Sequence, residues 1–444
     1  MERYDVVIIG SGPAGLGAAF ALLKLGGAKD GKPLSIAMLD KEKVSTGGLR
    51  NDCKMNFTYP VGFPEDVWEQ AGAERYLELV KQDLHPGILS RRNLSVYSKR
   101  GERLGVRLLD IDQSHLGTDG GLKLIKKLIA SLIDKGVDIR LGEEMRAVDA
   151  AAKSIETSQR TIGYETLLIA PGRGGFKFLQ DTLDSIGVEY MDHIVDIGIR
   201  VETRIEHYPI VHDYYDPKFL FPGKVRTFCT NSGDAHVVQE RYLSRHGKTY
   251  YSVNGHAYSD RGAPNGLTNF AMLKTIRFTE PLASGQEFAE NLGLQAMLMG
   301  GGHPIMQRVG DFRMGKRSKR SSFTGDLYDF EPTLRGCTPG DISLSTPAKI
   351  LRDIWKSMKS LDTIIPGILH PSTIMYYPEI KLYANKPVFA DSHFKVKDGI
   401  FLAGDGAGTS RGITAAWASG IRASLGMLKE MGIPYDDPLG GTAT

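Results

Sequence analysis

The chain has 444 residues, 41% hydrophobic and 24% charged, the balance of a folded protein of two or three domains. Lys+Arg 55 against Asp+Glu 52 leave a net charge of +3, so no global field marks a nucleic-acid binder or a membrane-surface protein. Cys53, Cys229 and Cys337 form no C-x-x-C pair, which speaks against structural zinc and a disulfide framework; no metal site is expected, and a reducing cytoplasm fits.

The first element is YDVVIIGSGPAG. The apolar run Val6–Val7–Ile8–Ile9 predicts a parallel strand buried on both faces. Gly10-Ser11-Gly12-Pro13-Ala14-Gly15 follows it, and then small and apolar residues at helical spacing up to Gly26-Gly27. Gly10 serves a tight turn, Gly12 lets the backbone approach a pyrophosphate, and Gly15 lets the helix lie close to the strand. Phosphates would sit on free N–H groups at the positive helix end. The glycines make a poor secretory apolar region, and no apolar run elsewhere is long enough to span a bilayer. A second strand, LSIAML, ends in Asp40, 25 residues past Gly15, where a carboxylate accepts the ribose hydroxyls of an adenosine, with Lys41 beside it.

Gly47-Gly48 then marks a loop before Arg50 and Cys53. PEDVWEQAGAERYLELVKQDL predicts an amphipathic helix with Pro64 and Glu65 in its first turn, and SVYSKRGERLGVRLLDIDQSH reads as two strands around Arg100-Gly101. A helix with Leu124, Ile125, Leu128, Ile129 and Leu132 on one face and strands at Val137–Leu141 and Met145–Val148 resume the α/β rhythm, and a further strand, apolar from Leu167 to Ala170, turns at Pro171-Gly172. From about Gly187, short alternating segments separated by turn residues predict an antiparallel sheet or half-barrel. Two helical stretches follow, with the basic run Arg313, Lys316, Arg317, Lys319, Arg320 between them. That run reads as a solvated loop; the alternative is an anion site for a substrate carboxylate or phosphate. No aromatic interleaving accompanies it, so nucleic acid is not expected as a partner.

Near the far end, GIFLAGDGAGTSRGITAAWASG gives a strand, a turn at Gly404-Asp405, and a second glycine turn at Arg411-Gly412 that opens a helix at Ile413. Two such motifs, some 390 residues apart, suit the two ends of one FAD: adenosine at the first, and the ribityl chain on Asp405. The helix after Gly412 would aim its positive end at the flavin ring, where reduction places negative charge. The expected fold is α/β: a Rossmann-like parallel-sheet domain over 1–180 and 386–444, interrupted at 181–385 by a mainly antiparallel β domain with a small helical portion.

VIIGSGPAG, GGLRNDCKMNF, HLGTD, LLIAPGRGG, VDIGIRVE, VRTFC, SVNGHAYSD, GLTNFAML, GGGHPIMQRVGDF and the C-terminal stretch occur in order over nearly the whole chain. In these the sequence resembles the predicted FAD-dependent dehydrogenases, a branch of the glutathione-reductase-like flavoproteins. The resemblance implies FAD, with Gly47, Gly48 and Arg50 passing the pyrophosphate and flavin, Val148 near the adenine, and the turn at 170–172 closing the first half of the site. The disulfide reductases of that group carry two cysteines after the glycine pair. Here there is only Cys53, so a dithiol relay is not expected and a buried structural cysteine is the simpler reading.

No second G-x-G-x-x-G follows a strand in the middle of the chain, so a dedicated NAD(P)H domain is not expected; either NAD(P)H visits the flavin as a transient donor, or electrons come from the substrate or another carrier. The expected activity is an oxidoreductase moving a hydride between flavin N5 and a small organic substrate, neutral or anionic. The catalytic candidates are His256, Cys53 and Arg226, although a histidine in a turn after a strand is more often structural. The alternatives are a flavin monooxygenase, for which the usual GDAAH-type continuation after Asp405 is missing, and an RNA-modifying flavoprotein. Oligomeric state is not assigned.

Overall fold

The computed structural model describes all residues except 27, 30, 46, 52, 259–262, 280, 283, 325–329, 383 and 439–444. Gly27 of the expected helix stop, Asp52 of the glycine-pair segment and the end of the SVNGHAYSD motif therefore lie outside the described residues. The chain forms two compact units, one of Met1–Ile88, Ile111–Asp192 and Tyr383–Thr444, the other of Leu89–Asp110 and His193–Leu382.

The first unit is a Rossmann-like α/β layer structure. The strands of its main sheet are β1 (Glu2–Ile9), β2 (Ile36–Asp40), β3 (Asp138–Leu141), β4 (Met145–Asp149), β5 (Ser154–Thr157), β6 (Thr161–Ile169), β7 (Lys395–Lys397) and β8 (Ile400–Leu402). Its helices are α1 (Pro13–Leu25), α2 (Gly48–Asn51), α3 (Gln70–Leu84), α4 (Gly117–Asp134), α5 (Phe176–Ile186) and α6 (Ile413–Glu430). The sheet order is β7–β8–β6–β1–β2–β3, with β5 beside β6 and β4 beside β5. Strands β8, β6, β1, β2 and β3 run parallel, so the turns after Ile9, Asp40, Ile169 and Leu402 all leave the same edge. The alternation of β1 explains why the sheet is covered twice. Val6 and Ile8 face a core built with α1, α3 and α6, while Val7 and Ile9 face a second core with α5 and β4.

Helices α1 and α6 approach so closely that their backbones touch. A Cβ on Gly420 would fall 1.9 Å from the Ala14 carbonyl oxygen, and one on Gly17 would fall 2.5 Å from that of Trp417. The indole of Trp417 packs on Phe20 with ring centroids 5.8 Å apart, and its Nε1 donates to Asp83 of α3. Trp68 Nε1 donates to the Thr409 carbonyl at 2.6 Å. That bond pins residues 64–68 in turns, so α3 begins at Gln70 and not at Pro64 as the sequence suggests.

The second unit is a nine-stranded sheet, largely antiparallel. Its central strands are Ile194–Arg204, Leu267–Arg277 and Ile374–Leu382, flanked by a 19-residue strand, Val225–Leu243, whose far half pairs with Thr249–Tyr258. The sequence suggests two strands here, split by turn residues. The structure instead keeps one strand and absorbs the extra residues in a bulge between Phe228 and Asn231, with Cys229 at φ 51°. The segment around Arg100 also differs from expectation. Leu94–Glu102 is a helix, packed on the helix Ala348–Ile364, and only Arg107–Leu109 is extended, pairing with Lys218–Phe221. Tertiary docking overrides local strand propensity there, and it places Leu89–Asp110 in the second unit.

Candidate functional site

The site lies at the carboxyl edge of the parallel sheet, next to β1, where the chain winds to β2 on one side while β6 and β8 lie on the other. Gly10 turns at φ +104°, and a Cβ there would meet the Ala170 carbonyl oxygen at 2.3 Å. Its N–H donates to the Leu39 carbonyl at 2.7 Å, which fixes the turn against β2. Gly15 is equally crowded, its Cβ position lying 2.0 Å from the Gly10 oxygen. Gly12 is the exception. Its φ is −76°, suitable for any residue, and nothing lies within 4 Å of its Cβ position. A backbone conformation that needs no glycine, beside open space, fits a residue kept small for a ligand. The helix that starts at Pro13 has no side-chain cap on its amino end.

Asp40 is tied to this turn. Its Oδ2 accepts the Ser11 N–H at 2.8 Å and the Ser11 hydroxyl at 2.6 Å, and its Oδ1 accepts the Glu42 N–H at 2.9 Å. The carboxylate thus positions the glycine turn. A largely apolar groove of about 190 Å³ opens beside Ser11, lined by Val44, Ile125, Ile129 and Leu141 with Lys43 and Ser45. Lys41 is exposed, and Val148 on β4 is half-buried against the second core.

The C-terminal motif meets the N-terminal one through close backbone approaches. The Cβ position of Gly404 lies 3.1 Å from the Ala14 Cβ, and that of Gly406 lies 2.4 Å from the Gly172 carbonyl oxygen. That of Gly48 lies 3.1 Å from Ile413 Cγ1. Segments 10–15, 47–50, 170–172, 404–406 and 411–413 are thereby one assembly. Within it, Asp405 accepts the Gly412 N–H at 3.0 Å on each oxygen and the Ser410 hydroxyl at 2.9 Å, while Arg173 Nε lies 3.5 Å away. Asp405 therefore clamps the loop that delivers α6. The Arg411 N–H donates to Gly62 at 2.8 Å, and the Arg50 guanidinium donates to the Thr118 carbonyl at 3.4 Å. Helix α6 has no side-chain cap, and nothing lies within 4 Å of the Gly412 Cβ position. Two helix amino ends without side-chain caps, each beside an open glycine face, fit the two negative portions of FAD, the pyrophosphate and the reduced ring. Cys53 is fully buried in the first core, with its N–H on the Gly48 carbonyl at 3.0 Å.

The other two catalytic candidates lie in the second unit, on different strands. Arg226 Nη2 donates to Asp196 at 2.6 Å, and its guanidinium lies over Phe228. His256 is mid-strand, not in a turn, and pairs in register with His236, ten residues along from Arg226 on the 225–243 strand. At about 3.3 Å per residue that is roughly 30 Å of strand, so the two do not form one site.

Sequence reading missed the charged core of this unit. Arg200 and Glu379 form a fully buried, two-pronged ion pair at 2.7 and 2.6 Å. Arg200 also donates to the Cys229 carbonyl and to Asn254 and Asn269. Next to Arg200 on the same face of that strand, Glu202 accepts from the Tyr376 hydroxyl at 2.5 Å and from the Thr333 hydroxyl. Burial pushes the Glu202 carboxyl above its usual range, against those hydrogen bonds, which pull it down. The strand Ile194–Arg204 alternates apolar with polar, which normally means one wet face. Charges at Asp196, Arg200 and Glu202 in an inner strand of a large sheet were the available signal for a polar core.

The family model described as pyridine nucleotide-disulphide oxidoreductase matches residues 4–193. No match was found among curated proteins. Among solved structures, the chain is similar to L-proline dehydrogenase from P. horikoshii (10% identity, 94% of this chain and 91% of that one, TM-score 0.43). It is also similar to glycine oxidase from Bacillus cereus (12%, 96% and 94%, 0.38) and p-nitrophenol 4-monooxygenase from Pseudomonas putida (12%, 97% and 80%, 0.38). At such scores these likenesses carry no argument about reaction or substrate. The family match supports an oxidoreductase enzyme with FAD as its cofactor.

Three outcomes follow from this geometry. Gly12→Ala should leave the fold and melting temperature of the flavin-free protein unchanged and weaken FAD binding at least ten-fold, about 1.4 kcal/mol, in a fluorescence titration. Gly10→Ala should instead destabilise the protein itself. Because the folded-state value of Glu202 lies above its ordinary 4.5, the stability tied to its neutral form is complete below that pH and is lost as pH rises through the folded-state value. Denaturant midpoints measured from pH 5 to pH 9 should accordingly fall less steeply for Glu202→Gln than for the native chain.

Proposed function

We propose that the protein is a dehydrogenase or reductase for a small organic substrate, in which a hydride passes between substrate and flavin N5 as a C–C or C–N bond is oxidised or reduced. The supporting observation is the convergence of the bare amino ends of α1 and α6 at one sheet edge. FAD, when bound, supplies a ring that takes up or releases two electrons with a proton. The amino end of α1 and the Ser11 turn would hold the pyrophosphate, with Asp40 on the adenosine ribose. The α6 end, held by Asp405, would stabilise negative charge at the flavin pyrimidine edge, which favours the reduced state.

Cys53 is the single cysteine of the first unit and is buried, which argues against the dithiol chemistry in the matched family's description. We assign it a packing role. Among the second-unit candidates, Arg226 suits an anionic substrate group better than His256 suits proton transfer, since its guanidinium keeps partial exposure beside Asp196. NAD(P)H remains a candidate transient donor.

Anaerobic mixing of the flavin-loaded protein with panels of small amino, hydroxy and unsaturated acids tests this reading. One class should bleach the visible flavin band stoichiometrically, and Arg226→Gln should raise the concentration required by ten-fold or more if that substrate is anionic. A hydroxylated product formed with NAD(P)H and oxygen would assign the protein to monooxygenation instead. A flavin that even dithionite leaves oxidised would make the cofactor structural.

A further inference from the structure

The basic run at 313–320 is part of a larger surface that composition conceals. The helix Ala348–Ile364 exposes Lys349, Arg352, Lys356 and Lys359, at spacings of three, four and three, so they share one helical face. Trp355 of that helix packs edge-on against Phe312 at 4.8 Å, and Phe312 leads into the exposed Arg313, Lys316, Arg317, Lys319 and Arg320. None of these nine cations has an acidic partner among the described residues. The acids of the same segments are turned to other tasks: Asp311 accepts from Ser318, Asp353 from Lys274, and Asp362 from the Gly367 and Leu369 N–H groups. The two segments carry more positive charge than the net +3 of the entire chain.

A solvated charge run needs no scaffold, but this one is anchored. Ser318, fully buried between Arg317 and Lys319, accepts the Arg308 N–H at 2.8 Å and donates its own N–H to Gly340 at 3.0 Å. Gln307 donates to the Lys316 carbonyl at 2.8 Å and accepts the Ile342 N–H at 3.0 Å. The 338–344 segment so tied also receives the Gln295 amide at the Leu344 carbonyl, and Thr338 donates to Gly300. This joins the basic loop to a set of aliphatic side chains left in water: Leu298 at 81% exposure, Met314 at 61%, Leu344 at 60% and Met299 at 45%.

We propose that this surface of the second unit docks on an anionic lipid bilayer, with the cations on the headgroups and Leu298, Met314 and Leu344 entering the interface. Cations interleaved with exposed aliphatic side chains suit a lipid surface. A nucleic-acid surface would instead offer aromatic rings for stacking, and here Phe312 and Trp355 are spent on each other. The attachment is peripheral, since no described helix is long and apolar enough to cross a membrane.

Co-sedimentation of the full-length, flavin-loaded protein with vesicles of phosphatidylcholine, alone or mixed with phosphatidylglycerol, tests the proposal. The protein should pellet with the anionic vesicles only and be released by raised salt. Arg317→Gln/Lys319→Gln and Lys349→Gln/Arg352→Gln should each lower the partition by roughly five-fold per cation, with flavin spectrum and melting temperature unchanged. Leu298→Ser and Met314→Ser should lower it further at constant charge. Equal binding to neutral vesicles, no loss in the glutamine variants, or tighter binding to polyuridylate than to anionic vesicles would each overturn the proposal.

Discussion

The contact on which the first unit depends is the crossing of α1 and α6, made possible by Gly17 and Gly420. With no Cβ at either position, the two helices meet backbone to backbone. Each helix starts from a glycine turn at the carboxyl edge of the same parallel sheet, so drawing the helices together draws their positive ends together. One end comes from residues 10–15 and the other from residues 404–413. The chain between them forms the second unit and much of the first. We propose that these two positive ends hold a dinucleotide with an anionic middle and a ring that becomes anionic on reduction.

The second unit solves a different problem. Its central strand, Ile194–Arg204, is covered on both faces, yet carries Asp196, Arg200 and Glu202. Burying a guanidinium costs more than most contacts return, unless every donor is engaged. Arg200 meets that condition with Glu379, Asn254, Asn269 and the Cys229 carbonyl, the last presented by the bulge at 228–231. Gly255 leaves room for this cluster, since a Cβ there would strike Asn231, Asn269 and Arg200. Motifs at VDIGIRVE, VRTFC, SVNGHAYSD and GLTNFAML thus converge on one buried network.

The nucleotide half was legible in the sequence because its signals are local. The apolar run 6–9, Gly10 to Gly15, Asp40, and the turns at 170–172 and 404–412 each announce a strand or turn whose geometry depends on few neighbouring residues. Asp40 and Asp405 show the limit: each clamps a glycine turn, through Ser11 or Gly412, in a way that no spacing reveals. The second unit was legible only as antiparallel strands. The 94–102 helix, the continuous 225–243 strand and the Arg200–Glu379 pair are decided by partners far away in sequence, and single-strand periodicity does not carry that information. The mid-strand place of His256 follows from the same cause.

We propose that the close α1–α6 crossing sets up FAD binding. The FAD dissociation constant of Gly420→Ala, measured against that of Gly72→Ala, tests it most directly. A methyl at 420 must push α6 away from the Ala14 carbonyl, whereas one at Gly72, with nothing within 4 Å, meets no neighbour. The expected result is FAD affinity weakened at least ten-fold by Gly420→Ala and unchanged by Gly72→Ala. Native affinity in a folded Gly420→Ala protein would contradict the account.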